Sequence, residues 1–270
     1  MAQYPHISPF RYPGGKTWLV PFFHNWAKSK QHELLVEPFA GGASIALSCL
    51  EANICQKTIL IELDPNIAAV WKTILGREWK RLVKKIQSFT PTITSLEKEL
   101  EETAVSTFER AWQTILLNRI NHGGITATGS GRLRRGESGK GIGSRWYPET
   151  LVRRIERIRA LRKRIKFIQG DGLKFLQNGG ETRSIYFIDP PYPKAGRRLY
   201  DCWNVDHSGL FTAMGGLDRP FMASYEQTPE IRKLARAHGF QTKPTTMFSR
   251  LHREKQELLI SNDRISSRHG

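Results

Sequence analysis

Residues 34–52 read LLVEPFAGGASIALSCLEA, an apolar run that changes within a few residues into a glycine turn and then into a helical segment. Residues 34–37 predict a buried strand, residues 38–42 a turn, and residues 43–52 a helix of short side chains. A second apolar run, TILIEL at 58–63, is followed by Asp64-Pro65, which favours another helix start. This strand–helix–strand order predicts a parallel sheet.

The alternation of strands and helices stops at about residue 75 and returns after residue 159. The pattern between is helical and strongly charged, whereas later segments again predict strands, at 166–169, 185–188, 221–224 and 257–260. We therefore expect an α/β fold in which residues 1–74 and 162–270 form one domain. Residues 75–161 are expected to form an inserted, mainly helical subdomain.

The composition indicates a polyanionic partner. The 270 residues include 42 Lys+Arg and 25 Asp+Glu, for a formal net charge of +17 and a pI near 10.1, and a field of that sign attracts nucleic acid. A membrane surface is the weaker alternative, because no stretch is long and apolar enough to span a bilayer and the N-terminus lacks the apolar region of a secretory signal. The three cysteines show no C-x-x-C spacing, which indicates neither a disulfide framework nor a zinc site, so we expect a reduced, cytoplasmic setting.

Residues 185–193, IYFIDPPYP, end a buried strand in a cluster of hydrogen-bond acceptors. Such a strand delivers its last residues to the carboxyl edge of a sheet, where open α/β folds bind ligands. Two successive prolines fix the backbone and remove two N–H donors, which leaves the Asp189 carboxylate and the Pro190 carbonyl beside the Tyr192 ring. These acceptors suit a planar group with an exocyclic NH2, such as a nucleobase. An ordinary Pro-rich turn is the alternative.

Two glycine segments precede this strand. Glycines in the turn at 37–44 let the backbone approach a ligand closely, and the following helix offers free N–H groups. Asp64 lies about 20 residues further on, which suits hydrogen bonds to ribose hydroxyls, although Asp-Pro equally favours a helix N-cap. The segment FRYPGGK at 10–16 lacks the spacing of a Walker-type phosphate loop. The residues after Lys16 predict a helix start that would hold this lysine near the sheet edge.

These motifs, taken in order, resemble one enzyme family. Tyr-Pro-Gly-Gly-Lys, Glu-Pro-Phe-Ala-Gly-Gly, a strand-end Asp, a helical insertion and Asp-Pro-Pro-Tyr together resemble the Dam-like (D12 class, α-group) DNA adenine-N6 methyltransferases. The resemblance extends from Phe10 to about Asn262 and is looser in the insertion. It implies a Rossmann-like, mostly parallel methyltransferase domain, S-adenosylmethionine as cofactor, and double-stranded DNA recognised by the insertion.

The resemblance also implies roles for individual residues. Asp189, Pro190, Pro191 and Tyr192 match the catalytic motif. Asp189 and Pro190 would accept hydrogen bonds from adenine N6, and Tyr192 would stack on the base after it flips out of the duplex. Neither a metal nor a covalent nucleophile is needed. The positions that match cofactor contacts are Tyr12, Gly15, Lys16, Glu37, Pro38, Phe39, Ala40, Gly41, Asp64, Asp171 and Asp189.

Two positions depart from the family pattern. Tyr12 replaces the usual tryptophan but keeps a planar surface, and Gly172 follows Asp171 where many relatives have an aromatic residue. Downstream, Tyr200 and residues 206–210 resemble the segment that covers the active site.

The insertion is expected to hold the DNA. Residues 123–145 are rich in glycine and carry one acid, Glu137, against five cations: Arg132, Arg134, Arg135, Lys140 and Arg145. A solvated basic loop is the alternative. An apolar stripe at 151–165 predicts a helix whose opposite face offers phosphate contacts from Arg153, Arg154, Arg157 and Lys163. Asn118, Arg119 and Asn121 are further candidates for base or backbone contacts.

Other functions stay open at the level of sequence. N4-cytosine methylation would use the same acceptors, since cytosine also has an exocyclic amine, and a DNA-binding module without catalysis would keep the basic insertion. The sequence also leaves open the recognition site and whether the enzyme pairs with a cognate restriction endonuclease, acts alone or belongs to a phage. A bacterial or phage origin implies a cytoplasmic, nucleoid-associated protein.

Overall fold

A seven-stranded sheet organises the chain. The computed structural model describes residues 6–11, 15–127, 129–133, 135–136, 139–179, 181–193, 202, 204–248 and 254–265. The strands are β1 (Leu34–Glu37), β2 (Lys57–Glu62), β3 (Ile165–Gln169), β4 (Ser184–Ile188), β5 (Phe221–Glu226), β6 (Gln241–Phe248) and β7 (Glu254–Ser261). Their order is β3-β2-β1-β4-β5-β7-β6, and β7 alone runs against its neighbours. The predicted α/β fold with a mostly parallel sheet is confirmed.

Ten α-helices are present in the described part of the chain. They are α1 (Val20–Lys28), α2 (Ser44–Glu51), α3 (Pro65–Leu75), α4 (Trp79–Ser88), α5 (Ile93–Glu101), α6 (Thr107–Ile120), α7 (Pro148–Ala160), α8 (Gly172–Gln177), α9 (His207–Gly215) and α10 (Pro229–Ala237). Short 3-10 turns lie at Lys16–Leu19, His122–Gly124, Ile142–Arg145 and Arg162–Arg164. Within the described residues, no helix is long and apolar enough to cross a membrane.

Apolar side chains cover both faces of the sheet. Successive residues point to opposite faces, so Leu35 and Ile185 belong to one apolar cluster while Val36 and Tyr186 belong to the other. All residues of β4 are buried. Burial on both faces explains why the central strands read as continuous apolar runs rather than as alternating patterns.

The inserted helices share their core with the rest of the domain. Trp112 of α6 and Ile155 of α7 lie in the same apolar cluster as Ile45 of α2 and Trp71 of α3. The boundaries at 75 and 161 fall at the end of α3 and just after α7. The division into a domain and an insertion therefore remains a prediction, since residues on both sides of it belong to one apolar cluster.

Strand β6 is missing from the sequence prediction. Its segment, QTKPTTMF, is polar and contains Pro244, which argues against a central strand. The structure places it at the sheet edge, where it pairs only with β7. An edge strand tolerates proline and polar side chains because one of its sides has no ladder partner.

The strand order creates a crevice at the carboxyl edge of the sheet. The neighbours β1 and β4 are parallel, and the chain leaves β1 toward β2 but leaves β4 toward β5. Connections that diverge in this way form a topological switch point, where open α/β sheets bind their ligands. The residues that follow β1, β2 and β4 are therefore the first to consider as a functional site.

Candidate active site

Asp189 lies directly after β4 and forms an ion pair with Lys16. Lys16 Nζ is 2.9 Å from Asp189 Oδ1, and the lysine side chain is 6% exposed while that of Asp189 is 24% exposed. Burial raises the pKa of Asp189, and the neighbouring ammonium of Lys16 opposes that rise. The pairing therefore favours an ionised carboxylate that remains partly accessible.

The position of Lys16 follows from the packing of the N-terminal helical segment. Gly15 precedes the 3-10 turn Lys16–Leu19, which leads directly into α1. Leu19 and Val20 are almost fully buried and anchor this segment in the core. The prediction that a helix start holds Lys16 near the sheet edge agrees with this placement.

Tyr192 is held by its ring and by its hydroxyl. The ring stacks on Tyr225 of β5, with centroids 6.0 Å apart, and Lys16 Nζ lies 5.1 Å from the Tyr192 centroid. The hydroxyl donates to Glu257 Oε2 at 2.5 Å and lies 3.2 Å from Ser224 Oγ. Burial and the nearby Asp189 and Glu257 carboxyl groups raise the pKa of Tyr192, so the phenol stays protonated.

The glycine turn after β1 packs tightly under the carboxyl edge. Gly41 has φ 46° and Ala43 has φ 47°, a left-handed conformation that glycine adopts freely and alanine rarely does. The Ala40 N–H donates to the Ile61 carbonyl at 2.9 Å, and Trp71 Nε1 donates to the Gly41 carbonyl at 2.9 Å. These bonds attach the turn to β2 and to α3, so its backbone is preorganised.

Glu62, the last residue of β2, is a site residue that the sequence prediction missed. Its carboxylate accepts from the Gly41 N–H at 2.8 Å and from the Asp64 N–H at 2.9 Å. Burial raises the pKa of Glu62 to about 7. The signal was present, because Glu62 ends an apolar strand 21 residues after Gly41, the same spacing that drew attention to Asp64.

Asp64 and Asp171 both cap helices. Asp64 Oδ1 accepts from the N–H groups of Asn66 and Ile67 at the start of α3. Asp64 is therefore the N-cap of α3, one of the two roles that the sequence offers for it. Asp171 Oδ1 accepts from the Leu173 N–H at 2.8 Å at the start of α8. The departure at Gly172 has a steric reason, since a Cβ there would lie 2.0 Å from the Pro38 carbonyl oxygen.

Glu37 ends β1 and is 3% exposed. Its Oε1 accepts from the Ala46 N–H of α2 at 2.6 Å. Burial raises the pKa of Glu37 to about 8, with a smaller contribution from the Asp189 carboxyl group. Glu37, Glu62, Asp171 and Asp189 thus lie at or just beyond the carboxyl ends of four neighbouring strands, and we call this set the acidic edge.

A model of the D12 class N6 adenine-specific DNA methyltransferases matches residues 12–257. The match spans every residue of the acidic edge, Lys16 and the Asp-Pro-Pro-Tyr segment. The chain belongs to this family. A comparison with curated protein sequences gives no match.

Solved methyltransferases give weaker likenesses. The rRNA methyltransferase aviRa from Streptomyces viridochromogenes is 12% identical with a TM-score of 0.45, over 95% of this chain and 90% of that chain. Precorrin-6y C5,15-methyltransferase from Geobacter metallireducens GS-15 is 8% identical with a TM-score of 0.39, over 88% and 85% of the two chains. TrmK from M. capricolum, in complex with S-adenosyl-homocysteine, is 10% identical with a TM-score of 0.39, over 89% and 66%. All three TM-scores are below 0.5, so the fold is assigned from the order and direction of the strands.

Some predicted site residues of the methyltransferase lie outside the described residues: Tyr12, Arg134 and Tyr200. The other predicted cofactor positions, from Gly15 and Lys16 through the turn at 37–41 to Asp171 and Asp189, are described. In the described part of the chain, no group of three or more His, Cys, Asp or Glu side chains could hold a metal ion.

Three residues predicted to contact DNA are part of the methyltransferase interior instead. The Asn118 amide accepts from the Arg11 N–H at 2.8 Å and donates to the Arg11 and Gly124 carbonyls. Arg119 donates to the Pro9 carbonyl at 2.7 Å, and Asn121 donates to the Ile125 carbonyl at 2.8 Å.

All three of these side chains are buried. The prediction of DNA contact for Asn118, Arg119 and Asn121 therefore conflicts with their placement. Asn118 and Arg119 secure the segment before the Tyr-Pro-Gly-Gly-Lys motif, an arrangement that we call the N-terminal clasp, whereas Asn121 holds the turn that follows α6. The close approach in the clasp also requires Gly124, because a Cβ there would lie 2.2 Å from the Arg11 carbonyl oxygen.

The other predicted DNA contacts divide into exposed and bonded cations. Arg145 donates to the Asn121 carbonyl at 3.1 Å. On α7, Arg154 donates to the Ser8 carbonyl at 3.2 Å, and Arg157 forms a two-point pair with Glu51, which argues against phosphate contacts from both. The exposed cations are Arg132, Arg135, Lys140, Arg153 and Lys163.

Proposed function

We propose that this methyltransferase transfers the methyl group of S-adenosylmethionine to N6 of an adenine in a specific sequence of duplex DNA. The observation that carries the proposal is the ion-paired Asp189 carboxylate beside Tyr192, at the switch point between β1 and β4. An exocyclic amine inside a duplex is not open to an in-line attack, so we propose that the adenine flips out of the helix to reach this carboxylate.

The acidic edge fits S-adenosylmethionine. The protein as a whole carries a net charge of +17, yet four carboxyl groups lie along this edge of the sheet, and Lys16 forms an ion pair with one of them, Asp189. A ligand with a sulfonium, an ammonium and ribose hydroxyls offers the positive charge and the donors that such groups prefer. Leu63, 47% exposed next to Glu62, adds apolar surface suited to an adenine ring.

The proposed cofactor contacts lie along the acidic edge and in the glycine turn after β1. Glu62 joins the predicted set because its carboxyl group accepts from the Gly41 N–H of the glycine turn and it does not cap a helix. The cofactor supplies a methyl group bound to a positively charged sulfur. Its binding residues are proposed to be Tyr12, Gly15, Lys16, Glu37, Pro38, Phe39, Ala40, Gly41, Glu62, Asp64, Asp171 and Asp189.

The catalytic residues act on the adenine amine. Its nitrogen is a poor nucleophile because the lone pair is delocalised into the ring, and it gains positive charge as it attacks. The Asp189 carboxylate and the Pro190 carbonyl accept its two N–H groups and stabilise that charge. Lys16 keeps Asp189 ionised for this role, Pro191 keeps the segment rigid, and Tyr192 provides a surface for the base.

The inserted helices at 75–161 are proposed to recognise the DNA target. Exposed cations here attract phosphates through charge and release counterions when the duplex binds. The proposed contacts are the exposed Arg132, Arg135, Lys140 and Arg153, together with Arg145, which also donates to the Asn121 carbonyl, and Arg134, which lies outside the described residues. Such an enzyme works where the chromosome is, in the cytoplasm, and a restriction endonuclease that cleaves the same sequence would be its natural partner.

The direct test is to incubate the protein with duplex DNA and S-adenosylmethionine and to digest the product to nucleosides. We expect N6-methyladenine; N4-methylcytosine would overturn the choice of base. Asp189→Ala should abolish transfer and leave DNA binding intact, whereas Asp218→Ala, at a fully exposed side chain, should change neither. Wild-type protein that binds DNA and methylates neither base would refute the catalytic assignment.

A further inference from the structure

Glu257 is a buried acid at the start of the apolar part of its strand. It lies in β7, followed by Leu258, Leu259 and Ile260, and is 3% exposed. Burial raises the pKa of Glu257, against the opposing effect of Lys16. A carboxyl group at such a position costs folding free energy unless it is hydrogen-bonded, so its partners identify what it does.

The partners of Glu257 are two hydroxyls at the active site. Tyr192 donates to Glu257 Oε2 at 2.5 Å, Ser224 of β5 donates to the same oxygen at 3.2 Å, and the two hydroxyls are 3.2 Å apart. Ser224 is fully buried. Tyr192, Ser224 and Glu257 thus form a triangle of hydrogen bonds. This triangle connects the Asp-Pro-Pro-Tyr segment to β5 and to β7, two strands that contribute no residue to the acidic edge.

This triangle fixes the plane of the Tyr192 ring. A tyrosine ring that is held only by stacking can slide or rotate, but the Tyr192 ring is stacked on Tyr225 and is also fixed at its far end by Glu257. Tyr192 follows Asp189 by three residues, across two prolines that restrict the backbone. Fixing the hydroxyl therefore limits the movement of the Asp189 carboxylate as well.

We propose that Glu257 is a positioning residue for methyl transfer, which acts by holding the Tyr192 hydroxyl and so the surface on which the flipped adenine stacks. The inference rests on the proposed function of Tyr192. Glu257 touches neither the base nor the methyl group in this assignment; it sets the orientation of a residue that does.

The test compares Glu257→Leu, Tyr192→Phe and the double variant in single-turnover methyl transfer to duplex DNA. Because displacement of a reacting group by about 1 Å can cost roughly 100-fold, we expect Glu257→Leu to lower the rate on the order of 10- to 100-fold. The Kd for S-adenosylmethionine, measured separately by titration, should stay unchanged. The double variant should be no slower than Tyr192→Phe alone, since both changes remove the same hydrogen bond.

Two further variants separate positioning from folding. Glu257→Gln keeps an acceptor oxygen and should retain most of the activity. Ser224→Ala should give a smaller loss that vanishes in the Tyr192→Phe background, and it provides the test if Glu257→Leu fails to fold. The matched control is Glu226→Leu, which changes the glutamate paired in register with Glu257 on β5; activity should be unchanged.

An unchanged rate in Glu257→Leu, or losses that simply add in the double variant, would overturn the inference. Because wild-type methylation is measured in the same experiment, failure of the proposed function would be seen as no transfer by any of the proteins. Failure of the inference alone would leave the wild-type enzyme active.

Discussion

The acidic edge of the sheet and the basic stretch at 129–145 carry opposite charges and differ in construction. At the acidic edge, each carboxyl group has a named partner: Lys16 for Asp189, the Ala46 N–H for Glu37, two N–H groups for Glu62 and the Leu173 N–H for Asp171. In the basic stretch, Arg132, Arg135 and Lys140 are exposed. The first region is therefore preorganised, and the second acts through its summed charge.

This difference predicts how each region responds to mutation. A buried, bonded group leaves an unpaired partner when it is removed, so single changes at the acidic edge should have large effects. Exposed cations contribute small and nearly independent amounts to phosphate binding, so the basic stretch should respond only to several changes together.

The largest effect is expected from Lys16→Met, which removes the ammonium from the acidic edge. We expect methyl transfer to fall by at least about 100-fold, because the Asp189 carboxylate loses its charge partner. Transfer requires ionised Asp189, whose pKa is raised by burial and held down by Lys16. Removing Lys16 raises that pKa further, so the acidic limb of the pH–rate profile should move to higher pH.

Lys30→Met is the matched control for this change. Lys30 pairs with Asp263 at 2.5 Å and is largely buried, as Lys16 is, but its pair lies away from the acidic edge. Lys30→Met should leave the acidic limb of the pH–rate profile at the same pH as in the wild type. An unshifted profile in Lys16→Met would contradict the coupling of Lys16 to Asp189.

A smaller effect is expected in the basic stretch. The triple variant Arg132→Gln/Arg135→Gln/Lys140→Gln should weaken duplex binding and flatten its salt dependence by about 2.7 in the slope of log K against log [salt], since each phosphate contact contributes about 0.9. Fluorescence anisotropy over a salt series measures this slope. A triple change of exposed cations outside the insertion, Lys57, Lys233 and Arg236, should leave it unaltered.

Asn118→Ala tests the N-terminal clasp, which joins α6 to the segment just before the motif that contains Lys16. The change removes the hydrogen bonds that the Asn118 amide makes to the Arg11 N–H and to two carbonyls. Each buried polar group left without a partner lowers the free energy of unfolding by about 1–3 kcal/mol. We expect the thermal midpoint to fall by several degrees, and activity with it. Asn178→Ala, at the exposed C-cap of α8, should change neither, and equal midpoints for the two variants would disprove the clasp.

The smallest effect concerns the pH dependence of stability. Burial raises the pKa of Glu37 from 4.5 to about 8, so the folded state holds this proton more tightly than the unfolded state. The stability that protonated Glu37 contributes is fully present below about pH 4.5 and is lost as the pH rises through about 8. Glu37→Gln keeps an acceptor for the Ala46 N–H and should gain stability relative to wild type between pH 5 and pH 8. Thermal unfolding across this range measures the difference, with Glu33→Gln at the surface as control; parallel curves would contradict the shift.

Local patterns were sufficient for the strands and for the catalytic segment. Burial on both faces of the sheet requires continuous apolar runs, and β1, β2, β4, β5 and β7 each contain one. Local rules could not distinguish Glu62 from Asp64, because both lie near a strand end at similar distances from the glycine turn. The structure shows that Asp64 caps α3 while Glu62 holds the turn.

Long-range pairings were beyond the reach of sequence patterns. Nothing near Asn118 shows that its amide bonds to a residue 107 positions earlier, and the polarity of Asn118, Arg119 and Asn121 suggested a surface instead. The buried acid in β7 was a usable signal, since a glutamate followed by three apolar strand residues requires a partner. Only the fold identifies that partner as Tyr192.

The anchor of Tyr192 also sets an order of events during synthesis. Glu257 is 65 residues downstream of Tyr192, and at about 5–20 residues per second a ribosome needs several seconds to add them. A nascent chain that has already produced the acidic edge and the basic stretch would lack the strand that secures its tyrosine. On the proposed role of Glu257, such a chain would bind DNA without modifying it, and activity would begin only when β7 closes the sheet.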